Sequence, residues 1–174
     1  CKLIKPFVPP VVDGKAWEKH ETEVMVDDMA FFRFEKDAPW HDFDGYEDNQ
    51  YVIVPCKLLL TTPGINRETG EYEETGIPAS VLAHYLRQRS LIPEKADLNS
   101  ILFLLTPAEN MAKFQHLVAT IARFEELYEA NVLVREMLPS LVAAYPVYQT
   151  MRDQDLCQKM HNFYRKHSLN QLLQ

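Results

Sequence analysis

The most regular hydrophobic pattern in the chain is helical. Apolar side chains recur at intervals of three and four residues from Met111 to Tyr128, which is the spacing of one buried helix face. The residues just before this pattern have the form of a capping box, with Thr106 as the N-cap, Pro107 as the first helical residue and Glu109 as the third. The sequence therefore predicts a long amphipathic helix that begins at Pro107.

Shorter apolar runs before this helix predict strands. The segments "LIPEK" and "SILFLLT" have strand length and predict an adjacent pair. Two further β-rich pieces lie on either side of Pro55 and end at the turn pair Pro63-Gly64. Between these regions, a helix is predicted with Pro78 at its first position, where the missing N–H costs nothing.

The two ends of the chain differ from this middle part. Residues 1–19 are rich in proline and predict an extended connector. A short helix at about residues 21–29 and a strand at residues 31–34 are predicted next. Beyond Asn131 the pattern is wholly helical, with a bend at Pro139, and it is still running where the chain stops.

These elements predict an α+β fold in three parts. Residues 1–19 form the connector, residues 20–129 an α+β domain, and residues 130–174 an incomplete helical piece. We therefore expect the chain to be a piece of a longer protein.

Composition narrows the classes of partner. The chain has 47% hydrophobic and 25% charged residues and a formal net charge of −7, with a mean hydropathy of −0.26. The negative charge and the lack of a basic stripe argue against a nucleic-acid partner, and no apolar run reaches the ~18–20 residues of a membrane helix. The three cysteines form no C-x-x-C pair, which favours a reducing, cytoplasmic compartment. We expect Cys157, beside an apolar helical stripe, to be a small core residue.

Few residues carry recognisable chemistry. The acidic segment "DFDGYEDN" does not fit the calcium-loop pattern, and the six histidines have no metal-ligand spacing, so no metal site is predicted. No G-x-S-x-G motif and no phosphate-binding glycine loop is present. Glu94, next to Lys95 and before a strand, is by composition alone an ordinary solvated acid.

Several consecutive motifs nevertheless resemble one enzyme family. The segments "CKLLLTTPGI", "TGEYEETGIPASVLAHYLR" and "IPEKADLNSILFLLTPAE" closely resemble the bacterial ornithine/lysine/arginine decarboxylases, which are pyridoxal-phosphate (PLP) enzymes of the aspartate-aminotransferase fold. The segment "PWHDF" resembles the family's Trp-His-Gly-Phe, with Asp42 in place of the glycine. The resemblance implies that residues 20–129 are the small domain. It makes residues 130–174 the first helices of the C-terminal extension, and residues 1–19 the connector from an upstream PLP-binding domain.

The resemblance also assigns one site residue. In the family the glutamate of "PEK" meets the distal cationic group of the substrate, and here that residue is Glu94. The family's cofactor lysine lies in a Ser-x-His-Lys context that this chain lacks, so no catalytic and no cofactor-binding residue is assigned here. Arginine members tend to lose the acid, so its presence points to ornithine or lysine, and "EKADLNSILFLLTPAE" looks more like the ornithine branch.

The resemblance implies part of a homo-oligomeric, PLP-dependent decarboxylase that converts ornithine to putrescine and CO₂ in the cytoplasm. Three alternatives stay open: a lysine decarboxylase of the same family, the small domain of an aminotransferase, and a binding or assembly module without a cofactor domain.

Overall fold

A computed structural model describes residues 1–41, 43–66 and 69–167 of the chain. Six short strands and six α-helices are spread along these residues. The strands are β1 (Lys5–Pro6), β2 (Val11–Val12), β3 (Lys15–Ala16), β4 (Lys57–Thr61), β5 (Lys95–Ala96) and β6 (Ser100–Leu104). The helices are α1 (Thr22–Asp27), α2 (Ala79–Arg87), α3 (Met111–Glu129), α4 (Val134–Met137), α5 (Pro139–Ala144) and α6 (Asp153–Lys166), with 3₁₀ turns at Trp17–Lys19, Met29–Phe32 and Pro146–Tyr148.

A four-stranded antiparallel sheet in the order β1-β4-β6-β5 forms the centre of the fold. Strands β4 and β6 make its longest pairing, with Leu60 opposite Ile101. Both of these side chains are buried and join the apolar faces of α2 and α3 in one core. Tyr85 of α2 meets Phe124 of α3 edge to face, with ring centroids 5.2 Å apart. The α+β class predicted from the sequence is confirmed.

Both ends of the chain pack onto this core. Strand β1 forms one edge of the sheet, and the preceding Ile4 is buried in the core. The C-terminal helices contribute Val134, Leu156 and Cys157 to the same cluster, so the prediction that Cys157 is a core residue is confirmed. The bend at Pro139 is also confirmed, since α4 ends at Met137 and α5 begins at the proline. The domain bounds at residues 19/20 and 129/130 stay predictions.

The start of α3 differs from the predicted one. The helix begins at Met111, and its N-cap is Asn110, whose side-chain oxygen accepts the N–H of Lys113 at 3.1 Å. Thr106 instead begins a turn in which its carbonyl accepts the N–H of Glu109 at 2.9 Å. The capping-box prediction is wrong. The backbone is still paired at Leu105, whose N–H donates to the Cys56 carbonyl, so the chain must turn before it can wind into a helix.

The predicted strand at residues 31–34 is also wrong. Residues 29–32 form a 3₁₀ turn, because the Asp28 carboxylate accepts the N–H of Ala30 at 2.8 Å and nucleates it. Of the β-rich piece before Pro55, only an isolated bridge between Arg33 and Val52 forms. Pro78 is the N-cap of α2 and not its first helical residue, a difference of one position.

Candidate functional site

The residue assigned from the resemblance, Glu94, lies at the edge of the sheet opposite β1. Its backbone N–H donates to the Leu102 carbonyl of β6 at 2.9 Å, directly before β5 begins. Its side chain is exposed, and its carboxylate makes no hydrogen bond or ion pair to the residues that the structure describes. The neighbouring Lys95 forms an ion pair with Asp97 at 3.3 Å and not with Glu94. Glu94 is thus an exposed carboxylate next to an edge strand, with no cation paired to it among the described residues.

Two cavities flank the sheet, and Glu94 lines neither. The first, of about 420 Å³, lies beside β1 and the loop after β4, and Lys5, Trp40 and Asn99 contribute to its wall. The second, of about 520 Å³, lies between the residues preceding Glu94 and the N-terminal half of α3, and its wall includes Ile92 and Phe114. The sequence predicted neither cavity, because each is formed by segments distant along the chain.

The "PWHDF" segment forms an aromatic cluster around a buried histidine. The Nδ1 of His41 accepts the N–H of Phe43 at 3.0 Å, so its Nε2 carries the proton and donates to the Glu35 carbonyl at 2.9 Å. Tyr46 Oη lies 3.1 Å from the same Nε2, and Trp40 stacks on a neighbouring phenylalanine. Burial, and then the charges of nearby aspartates, raise the pKa of Tyr46. Both nitrogens of His41 are engaged in holding the loop, so its role is structural. Asp42 lies outside the described residues.

A second buried cluster lies at the start of α6, which is joined to the end of α3 by Gln154, whose Nε2 donates to the Tyr128 carbonyl at 2.8 Å. Asp153 is 1% exposed, and burial raises the pKa of its carboxyl to about 6. Its Oδ1 accepts the N–H of Gln154 at 2.8 Å, while its Oδ2 has no hydrogen-bond partner among the described residues. Burial raises the pKa of Cys157 to about 12, with a further increase from Asp153. A thiol with so high a pKa stays protonated near neutral pH and is a poor nucleophile. No sequence pattern indicated Asp153, which resembles an ordinary acid in the first turn of a helix.

The described residues contain no buried lysine of the kind that would bind PLP. That cofactor needs a lysine whose amine is desolvated and poised to react, and all ten lysines of the chain are exposed. No step of the reaction can therefore be assigned to a cofactor held by these residues. Within the described ranges, no three histidine, cysteine or acidic side chains are grouped to hold a metal ion, and no helix is long and apolar enough to cross a bilayer.

Comparison with known sequences gives the family. The family model described as "Orn/Lys/Arg decarboxylase, major domain" matches residues 1–113. The constitutive ornithine decarboxylase of Escherichia coli K12 is 55% identical over 165 residues, which cover 94% of this chain and 23% of that protein. The ornithine decarboxylase of Haemophilus influenzae is 49% identical over 99% of this chain and 24% of its own length. The constitutive lysine decarboxylase of E. coli K12 is 33% identical over 86% of this chain and 21% of that protein.

Solved structures agree with the sequences. The E. coli constitutive lysine decarboxylase superposes with a TM-score of 0.78 at 30% identity, over 94% of this chain and 21% of that one. Lysine decarboxylase A from Pseudomonas aeruginosa superposes with a TM-score of 0.73 at 32% identity, over 86% of this chain and 20% of that one. The chain thus spans about a quarter or less of the length of these relatives. It belongs to the Orn/Lys/Arg decarboxylase family.

Proposed function

We propose that this chain is part of an ornithine decarboxylase that releases putrescine and CO₂, to which it contributes the contact with the distal amine of the substrate. The observation that carries the proposal is the difference in identity, 48–55% to four ornithine decarboxylases against 31–33% to four lysine decarboxylases. Lysine is the second candidate substrate, because the chain superposes well on lysine decarboxylases.

In this proposal residues 20–129 are the small domain of the enzyme, and residues 130–174 begin its C-terminal extension. PLP is held by another part of the longer enzyme, which the exposure of all the lysines supports. When bound, PLP accepts the electron pair left by the departing carboxylate. The three free cysteines support a reducing, cytoplasmic location, and the homo-oligomer implied by the family resemblance is part of the same proposal.

Glu94 has the chemistry that the proposed role requires. A carboxylate accepts charge-assisted hydrogen bonds from a primary ammonium, and that of Glu94 has no competing partner among the described residues. Fixing the distal end of a diamino acid orients the reacting end. A site built for a cation also discriminates against neutral amino acids of similar size, because they leave the carboxylate unpaired.

The substrate is tested with the full-length enzyme. Ornithine, lysine and arginine are supplied in turn with PLP, and the amine products are separated and quantified. We expect putrescine from ornithine as the main product. Cadaverine from lysine at a higher kcat/KM would assign the second candidate, and no amine from any of the three would refute the decarboxylase proposal.

The role of Glu94 is tested by Glu94→Gln in the full-length enzyme. A hydrogen bond between two charges contributes ~1.5–3 kcal/mol, so kcat/KM for ornithine should fall roughly 10- to 150-fold. The fall should be much smaller for norvaline, which lacks the distal amine. Glu23→Gln, an exposed acid on α1, serves as the control and should leave both values unchanged.

Two results would contradict this role. Equal losses on ornithine and norvaline would mean that Glu94 acts through stability or loop packing. No loss on either substrate would show that Glu94 is an ordinary solvated surface acid, as its residue type and its neighbours alone predict.

A further inference from the structure

The most completely bonded buried acid outside the proposed site is Glu125, in the second half of α3. Its side chain is 6% exposed, and its carboxylate accepts three consecutive backbone N–H groups. These come from Lys2 at 2.6 Å, Leu3 at 3.0 Å and Ile4 at 2.8 Å. Buried glutamates usually pair with a cationic side chain. Here the partners are main-chain groups more than 120 residues away, and each bond is strengthened by the charge.

The segment held in this way enters a short strand that has few hydrogen bonds of its own to fix its register. Strand β1 has two residues, with Lys5 opposite Thr61 and Pro6 opposite Leu60. Pro6 has no N–H to give to the ladder, so the burial of Ile4 and the N–H of Phe7 are the constraints on register that lie next to the strand. A slip of two residues would move the segment by roughly 6–7 Å along the sheet. It would also withdraw the three N–H groups from Glu125, so the carboxylate selects one register.

The same sheet carries Glu94 at its other edge. The order β1-β4-β6-β5 places β1 and the strand that Glu94 precedes three strand spacings apart, roughly 14 Å. The pairing register places residues 2–4 about four to six residues further along the sheet than the position opposite Glu94. The chain is held to the sheet at both edges by backbone hydrogen bonds. At one edge the Phe7 N–H donates to the Leu59 carbonyl, and at the other the Glu94 N–H donates to the Leu102 carbonyl. Before β1, where Ile4 is buried in the core, Glu125 adds three hydrogen bonds that hold the chain in this register.

We propose that Glu125 is a positioning residue, which anchors residues 2–4 in register on the sheet and so sets where Glu94 stands relative to the preceding part of the longer enzyme. This inference rests on the proposed function for its catalytic consequence. The anchoring itself rests on the contacts of Glu125 alone.

The test compares Glu125→Gln with Glu129→Gln in the full-length enzyme. Both substitutions remove one negative charge from α3, but Glu129 is exposed, one turn further along the helix. Amide hydrogen exchange is followed by mass spectrometry in peptides that cover residues 2–4, α2 and α3. For Glu125→Gln we expect exchange at residues 2–4 to rise about tenfold or more, with α2 and α3 unchanged. The ratio of kcat/KM for ornithine to that for norvaline should fall as well, and Glu129→Gln should change neither quantity.

The possible outcomes test the anchoring of residues 2–4 and the positioning of Glu94 separately. Exchange at residues 2–4 no faster than in Glu129→Gln would refute the anchor, and faster exchange throughout α2 and α3 would make Glu125 a residue of general stability. Faster local exchange with an unchanged ornithine-to-norvaline ratio would refute the positioning of Glu94. Should Glu125→Gln fail to fold, Glu125→Asp, which keeps the charge but shortens the side chain, should show the same local change at smaller amplitude. If the unmodified enzyme decarboxylates no basic amino acid, the proposed function fails while the exchange measurement still tests the anchor.

Discussion

Asp153 shows how one buried group can make stability depend on pH. Its pKa in the folded chain, about 6, lies above the ordinary value of 3.8 because burial opposes the charged form. The folded state therefore binds a proton more tightly than the unfolded state between these two values. The stability that the protonated carboxyl contributes is fully present below about pH 3.8 and is lost as the pH rises through about 6.

We predict that Asp153→Asn removes this dependence. A pKa difference of this size corresponds to about 3 kcal/mol, so the free energy of unfolding of the variant, relative to the unmodified chain, should increase by about that amount between pH 4 and pH 8. Urea unfolding of the 174-residue chain across this range measures it. Asp155→Asn, at an exposed acid in the same helical turn, should follow the unmodified chain at every pH. A difference that stays constant with pH for Asp153→Asn would show that the Asp153 carboxylate is as well solvated in the folded state as in the unfolded one.

At the scale of single residues, the sequence predicted some of the candidate site. Glu94 was found through its motif, and the role given to it stays a proposal. Glu125 and Asp153 could not be found, because both look like ordinary helix-surface acids until the fold shows what covers them. Their burial depends on contacts with residues 2–4 and with the 131–132 connection, which no local pattern encodes.

At the scale of elements, α3 shows where a local signal misleads. Both Thr106 and Asn110 are good N-cap residues by type. Asn110 is the one used, because β6 still constrains the backbone at Leu105. The exposed Met111 and Val118 also depart from the predicted buried stripe, whereas Leu117 in the same half of the helix is buried. Strands β4 and β6 and helix α2 were predicted well, because their apolar periodicity agrees with their final burial.

The cap assignment gives a prediction at this scale. Asn110→Ala should cost ~1 kcal/mol of unfolding free energy, because the N–H of Lys113 loses its side-chain acceptor. Thr106→Ala, the change that the capping-box prediction would have made equally costly, should cost clearly less. Urea unfolding of the two variants at one pH compares them directly. A larger loss for Thr106→Ala than for Asn110→Ala would restore the capping box and contradict the helix start at Met111.

At the scale of the whole molecule, α6 ties the C-terminal helices to the loop after β4. Gln158 and His161 lie on one face of α6 and donate to the carbonyls of Glu74 and Glu73, each at 2.9 Å. The His161 ring is fully buried and packs against Gly64 and Gly76. A Cβ added at Gly76 would lie within 3.0 Å of three atoms of the imidazole. The helical part and the α+β part are therefore joined by a fit that leaves no room for a methyl group.

This fit predicts a strong coupling between Gly76 and His161. Gly76→Ala alone should cost about 1–3 kcal/mol, the usual range for overpacking, because both the ring and the backbone of the loop are held in place. Its φ is not in the left-handed region, so the cost comes from the collision and not from backbone strain. In a His161→Ala background the same substitution should cost close to nothing, because the added methyl group enters the space that the ring has left. A double-mutant cycle by urea unfolding measures the difference. If the two costs simply add, the Gly76 methyl group does not meet the ring, and α6 must be held against the loop by its other contacts alone.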